Sequence, residues 1–190
     1  MKLGRALRST QGVGVWMMNA ALALSLLLNV CLGASLRHAA NHGAGPAVGD
    51  LVPVITGKSK DGQVRLDFRT RQQPVILYYY SPTCRWCDRN WSNVQALASQ
   101  TAGRFRFVAV SSSEDAGSLD ALHRQMLPGI FAVPAAERAA YGFSSTPRTM
   151  VVSDDGRVLG TWAGAYQDEL KAKLQEFFGV TLPGLDRIAQ

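Results

Sequence analysis

Ser81-Pro82-Thr83-Cys84-Arg85-Trp86-Cys87 joins an apolar run, Val75-Ile76-Leu77-Tyr78-Tyr79-Tyr80, to a segment of helical pattern. The run is short, rich in β-branched and aromatic residues and bounded by prolines, so it reads as a buried strand. Its tyrosines alternate faces, so at least one packs into the core. After Cys87, residues Trp91, Val94, Leu97 and Ala98 recur at three- and four-residue spacing, which reads as helix. The two cysteines therefore sit where a strand ends and a helix begins. Thr83 reads as the N-cap, which puts Cys84 in the first helical turn. Unpaired backbone N–H groups and the positive end of the helix dipole favour a thiolate there. Arg85 adds a positive charge next door and is the candidate for tuning that thiolate. Cys87 lies about one helical turn further on, so the two sulfurs can meet. An attacking thiolate beside a resolving one is what thiol–disulfide exchange requires.

Toward the N-terminus, residues 13–36 form 24 uncharged, mostly apolar positions. About 20 suffice for a membrane-spanning helix. Lys2, Arg5 and Arg8 precede them, which places a basic segment, 1–12, in the cytoplasm and the rest of the chain outside it. A cleaved signal peptide is the rival reading; its apolar core usually has only about 7–15 residues, so an uncleaved anchor is favoured. Leu28-Asn29-Val30 before Cys31 suits a lipoprotein signal poorly, and Cys31 reads as a packing residue. Residues 37–50 read as a glycine-rich linker. His38 and His42 have a spacing that suits metal on a helix, but the neighbouring glycines and Pro46 argue against helix there.

The remainder, 51–180 with a short tail at 181–190, is long enough for one domain with its own core. Without the three leading cations the chain carries 17 basic and 14 acidic residues, scattered rather than striped, which gives no reason to expect nucleic acid as a partner. Residues 51–55 and 64–68 flank Asp61-Gly62 and read as a hairpin. Phe105 to Val110 reads as the next buried strand, Ser118 to Leu127 as a helix, and 130–146 as loop with one helical turn at 135–141. Thr149 to Val152, the turn Asp154-Asp155-Gly156 and Arg157 to Trp162 make a second hairpin, and Asp168 to Phe178 a final amphipathic helix. Strand–helix–strand order implies an α/β fold with a partly parallel central sheet, helices on its faces and antiparallel strands at the edge.

This order and its motifs resemble the thioredoxin-like fold, and more closely its membrane-anchored TlpA/ResA-type members, over roughly residues 47–180. The likeness is carried by Cys84-Arg85-Trp86-Cys87 at the strand–helix junction, by Thr146-Pro147 just before a strand, by Asp154-Asp155-Gly156-Arg157-Val158-Leu159-Gly160, and by Gly164. Ser81-Pro82-Thr83-Cys84 is also similar to the methylamine-utilisation thioredoxin-like proteins. The resemblance implies a cis Thr146–Pro147 peptide facing the cysteines, with Thr146 and Pro147 helping to hold an extended substrate chain. It implies Cys84 as attacking and Cys87 as resolving thiol, no bound cofactor, disulfide- or dithiol-containing envelope proteins as partners, and a membrane electron donor. It also implies a periplasmic domain on a bacterial inner membrane.

Two positions depart from the pattern. Thioredoxins often carry a buried acid six residues before the first cysteine, where this chain has Tyr78. TlpA/ResA-type proteins often carry a glutamate three residues after the second, where it has Asn90. Asp88 and Glu114 are the sequence neighbours left to replace them. Trp86, between the cysteines, reads either as a substrate contact or as cover for an apolar patch. Arg148 is either a docking residue or a solvated strand end. The pair itself is open to three readings: a redox dithiol, a structural staple, or half of a zinc site for which the domain offers only His123 in addition.

Overall fold

The computed structural model describes residues 7–59, 61–70, 73–115 and 131–186. The chain divides into a helical unit ending at His42 and a second compact unit from Gly43 onward. The first is helix α1 (Leu7–Ala44), within which Gly14–Gly33 is long and apolar enough to cross a membrane. Residues 37–44, expected as non-helical linker, continue the helix. The expected stop signals act, but later. Gly45 takes φ 70°, one residue past the last helical one, and Pro46 follows it, the usual way a helix is ended.

The second unit is built on a seven-stranded mixed sheet in the order β2-β1-β5-β4-β3-β6-β7. Strands β1 (Ile55–Ser59) and β2 (Gly62–Leu66) form the first hairpin. Its first strand lies later than the sequence suggests; Leu51 instead makes an isolated bridge to Arg157. At the centre, β3 (Val75–Tyr80) runs parallel to β4 (Arg106–Ser111) and antiparallel to β6 (Arg148–Val152). Strand β7 (Val158–Ala163) closes the second hairpin, whose turn needs Gly156 at φ 91°. Strand β5 (Phe131–Ala132) was expected as loop; two residues are too few to show an alternating pattern. The predicted helix over 118–127, with His123, lies outside the described residues.

All three tyrosines of β3 are buried, divided between two core clusters by the strand's alternation. Tyr78 and Tyr80 join Leu97 of α3 (Trp91–Thr101) and Leu174 and Phe178 of α4 (Asp168–Phe178) on one face. Tyr79 lies on the other, stacked on Phe143 at 4.6 Å between ring centroids. Burying one such leucine contributes about 1.5–3 kcal/mol, which fixes α3 against β3 and so fixes what precedes it.

Candidate active site

The cysteines emerge at the C-terminal end of β3. Ser81 to Thr83 make a turn, closed by the Cys84 N–H donating to the Ser81 carbonyl at 3.1 Å. That turn consumes Thr83 and delays the helix by one residue. Helix α2 (Arg85–Asp88) is therefore capped by Cys84, not by Thr83. The Cys84 sulfur does what a serine oxygen does at most N-caps: it accepts the Cys87 N–H, at 3.2 Å. Cys84 is half-buried and its Sγ lies 3.6 Å from the Thr146 carbonyl oxygen, donating to it as a thiol. The Thr146–Pro147 peptide is cis. Residues 62 positions apart in the chain are thus brought together around one sulfur.

Cys87 is fully buried. Burial, then its hydrogen bond with Cys84, push its thiol far above the ordinary range, against weaker help for the thiolate from the Ser81 backbone and Thr146. Of the pair, Cys84 is the partly exposed member and Cys87 the buried one.

The other sequence candidates fall into place around them. Trp86 is 47% exposed and lies over the Arg89 guanidinium, 5.2 Å from the ring centroid. Arg85 is exposed on the first turn of α2. Arg148 is half-buried and donates through Nε to Thr161 Oγ1 at 3.2 Å, so it ties β6 to β7. Asp88 and Glu114 are both exposed, so neither occupies the buried place of the missing acids.

That place is filled by a polar network that sequence reasoning did not assemble. Asn90 donates from Nδ2 to Tyr78 Oη at 3.3 Å. Its Oδ1 accepts Asn93 Nδ2 and the Tyr166 N–H, each at 3.0 Å. Asn93 Nδ2 also donates to the Tyr166 carbonyl at 3.2 Å, and the Tyr166 hydroxyl is hydrogen-bonded to Thr149 Oγ1 at 2.6 Å. Asn90, Asn93, Tyr78, Tyr166 and Thr149 are all fully buried. The available signal was Asn90 and Asn93 interrupting the apolar stripe of α3 at helical spacing.

The C-terminal segment closes over the same helix. The Gly184 N–H donates to Asn93 Oδ1 at 2.8 Å, and Asp186 Oδ2 accepts the Ser92 N–H at 3.1 Å. Asn90, at the N-cap of α3, makes no side-chain cap of its own, so Asp186 supplies the cap from 94 residues away.

A strand–turn–helix bearing a half-exposed and a buried cysteine, faced by a cis-proline loop on a mixed sheet, is the site of a thioredoxin-like protein. The model of the Thioredoxin-like domain family matches residues 66–178, more than half of the chain, and the chain belongs to that family. No curated protein sequence matches it. Among solved structures it is similar to one described as a candidate thiol:disulfide interchange protein DsbE from Chlorobium tepidum, at 25% identity and TM-score 0.56, covering 71% of this chain and 98% of that one. It is also similar in fold to the thioredoxin domain of a thiol-disulfide oxidoreductase from Bacteroides vulgatus, at 18% identity and TM-score 0.54, covering 70% and 98%. StoA from Bacillus subtilis shares the fold at 15% identity and TM-score 0.50, covering 67% and 97%.

Proposed function

We propose that this protein is a membrane-tethered thiol–disulfide oxidoreductase whose domain faces the periplasm and reduces disulfides in envelope proteins. The observation that carries the reading is Cys84 Sγ held at the edge of the domain against the Thr146 carbonyl, with Cys87 directly behind it. The helix Gly14–Gly33 supports the tether, and Lys2, Arg5 and Arg8 before it support a cytoplasmic N-terminus.

In the reaction, the Cys84 thiolate attacks one sulfur of a substrate disulfide. A Cys84–substrate bond forms, the substrate's own bond breaks, and its second sulfur departs and takes up a proton. Cys87 then attacks Cys84, the Cys84–Cys87 bond forms and the first substrate sulfur leaves as a thiol. Two electrons and two protons pass to the substrate, and a membrane donor restores the dithiol. Thr146 and Pro147 line the substrate chain, Trp86 contacts it at the rim, and Arg85 supports the attacking thiolate.

Replacing Cys87 with alanine tests the reading: the Cys87→Ala chain, expressed in its membrane, accumulates mixed disulfides through Cys84. A structural staple traps none. The reduction potential of the pair sets the direction. A value near about −270 mV fits a reductase, one near about −120 mV an oxidant, and one far below about −300 mV a staple.

A further inference from the structure

The network is joined to Cys87 through Asn90, whose N–H donates to the Cys87 carbonyl at 3.0 Å, and through Tyr78, which is coupled to it; its described members are uncharged and their polarity is fixed. Because Asn90 Oδ1 accepts two N–H groups, at 3.0 Å each, its Nδ2 must face Tyr78. Asn93 is locked in the same way, with Oδ1 on the Gly184 N–H at 2.8 Å and Nδ2 spent on Asn90 and Tyr166. An amide cannot take a proton as a carboxylate can. Among the described residues, the titratable groups coupled to Cys87 are Cys84 from its own turn and Tyr78, Tyr79 and Tyr80 from β3. Burial raises all three phenols, so they stay neutral at pH 7. From the loop before β6 the neighbour is Thr146; of the charged residues of its own turn, Arg85 and Asp88 are exposed and Arg89 is half-buried, with its guanidinium over Trp86.

Resting on the exchange reaction above, we propose that this neutral network makes Cys87 a slow resolving thiol, so that the domain holds a substrate chain as a long-lived mixed disulfide on Cys84. Resolution needs the Cys87 proton removed before its sulfur attacks Cys84; the proton ends on the released substrate thiol. The rate follows the fraction of Cys87 present as thiolate. Burial with no carboxylate or imidazole beside the sulfur among the described residues keeps that fraction small, whereas a positioned base accelerates such a proton transfer by about 10²–10⁴. The partner that suits such a site is a cysteine-bearing polypeptide retained covalently, rather than one released as soon as it is attacked.

The test uses the reduced full chain in detergent micelles, with oxidised glutathione as the probe. Acid-quenched samples are weighed by mass spectrometry, and the adduct is mapped by peptide so that Cys31 is told apart from Cys84. The Cys84 adduct is expected to accumulate at pH 7, and its decay to speed up by about tenfold per pH unit toward pH 9, following the thiolate fraction. Asn90→Asp keeps two N–H donors on one carboxylate oxygen and places a base in the network. Its adduct is expected to decay about tenfold or more faster at pH 7, with a flatter pH profile. A wild-type adduct that decays as fast at pH 7 as at pH 9, or an unchanged decay in Asn90→Asp, overturns the proposal. The absence of any Cys84 adduct at every pH overturns the exchange reading itself, and this proposal with it.

Discussion

Tyr78 and Asn90, the two positions at which the sequence departs from the pattern it resembles, touch each other at 3.3 Å. The two departures are therefore one substitution in space. A phenol and an amide complete each other's hydrogen bonding where a lone acid would stand, and Asn93 and Tyr166 complete theirs. Neither residue is interpretable alone, and this coupling sets how the domain responds to mutation.

Removing the Asn90 amide strands the Tyr166 N–H, one Asn93 donor and the Tyr78 hydroxyl in a fully buried site. Asn90→Leu is expected to lower stability by about 2–4 kcal/mol, since each stranded group carries about 1–3 kcal/mol of desolvation cost. Tyr166→Phe strands only the Thr149 hydroxyl and costs less, about 1–2 kcal/mol. Urea unfolding of both variants measures the difference; equal losses would show that the network does not act as one unit.

The reduced domain is expected to weaken at alkaline pH. The folded Cys87 thiol titrates well above its unfolded value, so the folded state keeps a proton that the unfolded state gives up. The stability is complete below the unfolded thiol's pKa, about 8.5, and falls as pH rises above it. Tyr80 and Tyr141, each pushed up to about 12, add to the loss above about pH 10. Oxidation removes the Cys87 contribution. Unfolding midpoints at pH 7 and 9.5 in both redox states check this: the reduced form falls further, and a parallel fall in both would refute the assignment to Cys87.

Asp186 caps α3 from a distance, and the cap is partly exposed. Asp186→Ala is expected to cost about 1 kcal/mol, and Asp186→Asn, which keeps an acceptor oxygen, to recover most of it. Thermal unfolding of the two variants side by side reads this, and the idea fails if asparagine is no better than alanine.

Trp86 stands at the rim, over Arg89. Trp86→Ala is expected to raise KM several-fold for a folded or extended protein disulfide and to leave turnover of a small aromatic disulfide reagent within about twofold, because only the larger substrate reaches the ring. A proportional loss on both substrates would make Trp86 a structural prop instead.

The strand, the helix after it and the cysteines between them were legible because burial writes itself into periodicity: Leu77 and Tyr78 inside the sheet, Val94 and Leu97 facing it. The cap was not. Thr83 is the better capping residue by type, but the turn from Ser81 to Cys84 decided its position, and no local propensity encodes that turn. The helix continued past residue 36 because alanines outweighed Gly43, and only a positive-φ glycine followed by proline ended it. The polar network stayed hidden for a different reason. Its members come from β3, α3, β6 and the segment before α4, and nothing in the spacing of Tyr78, Asn90, Thr149 and Tyr166 announces that they share one space.

The tail's hold on α3 has a consequence for synthesis. Asp186 reaches Ser92, and Gly184 reaches Asn93, across sequence separations of 94 and 91. A nascent chain delivers Cys84 and Cys87 long before the residues that finish the helix beneath them. Contacts so distant in sequence close late. During synthesis the two sulfurs are therefore carried for a time ahead of a helix whose distant cap is not yet in place.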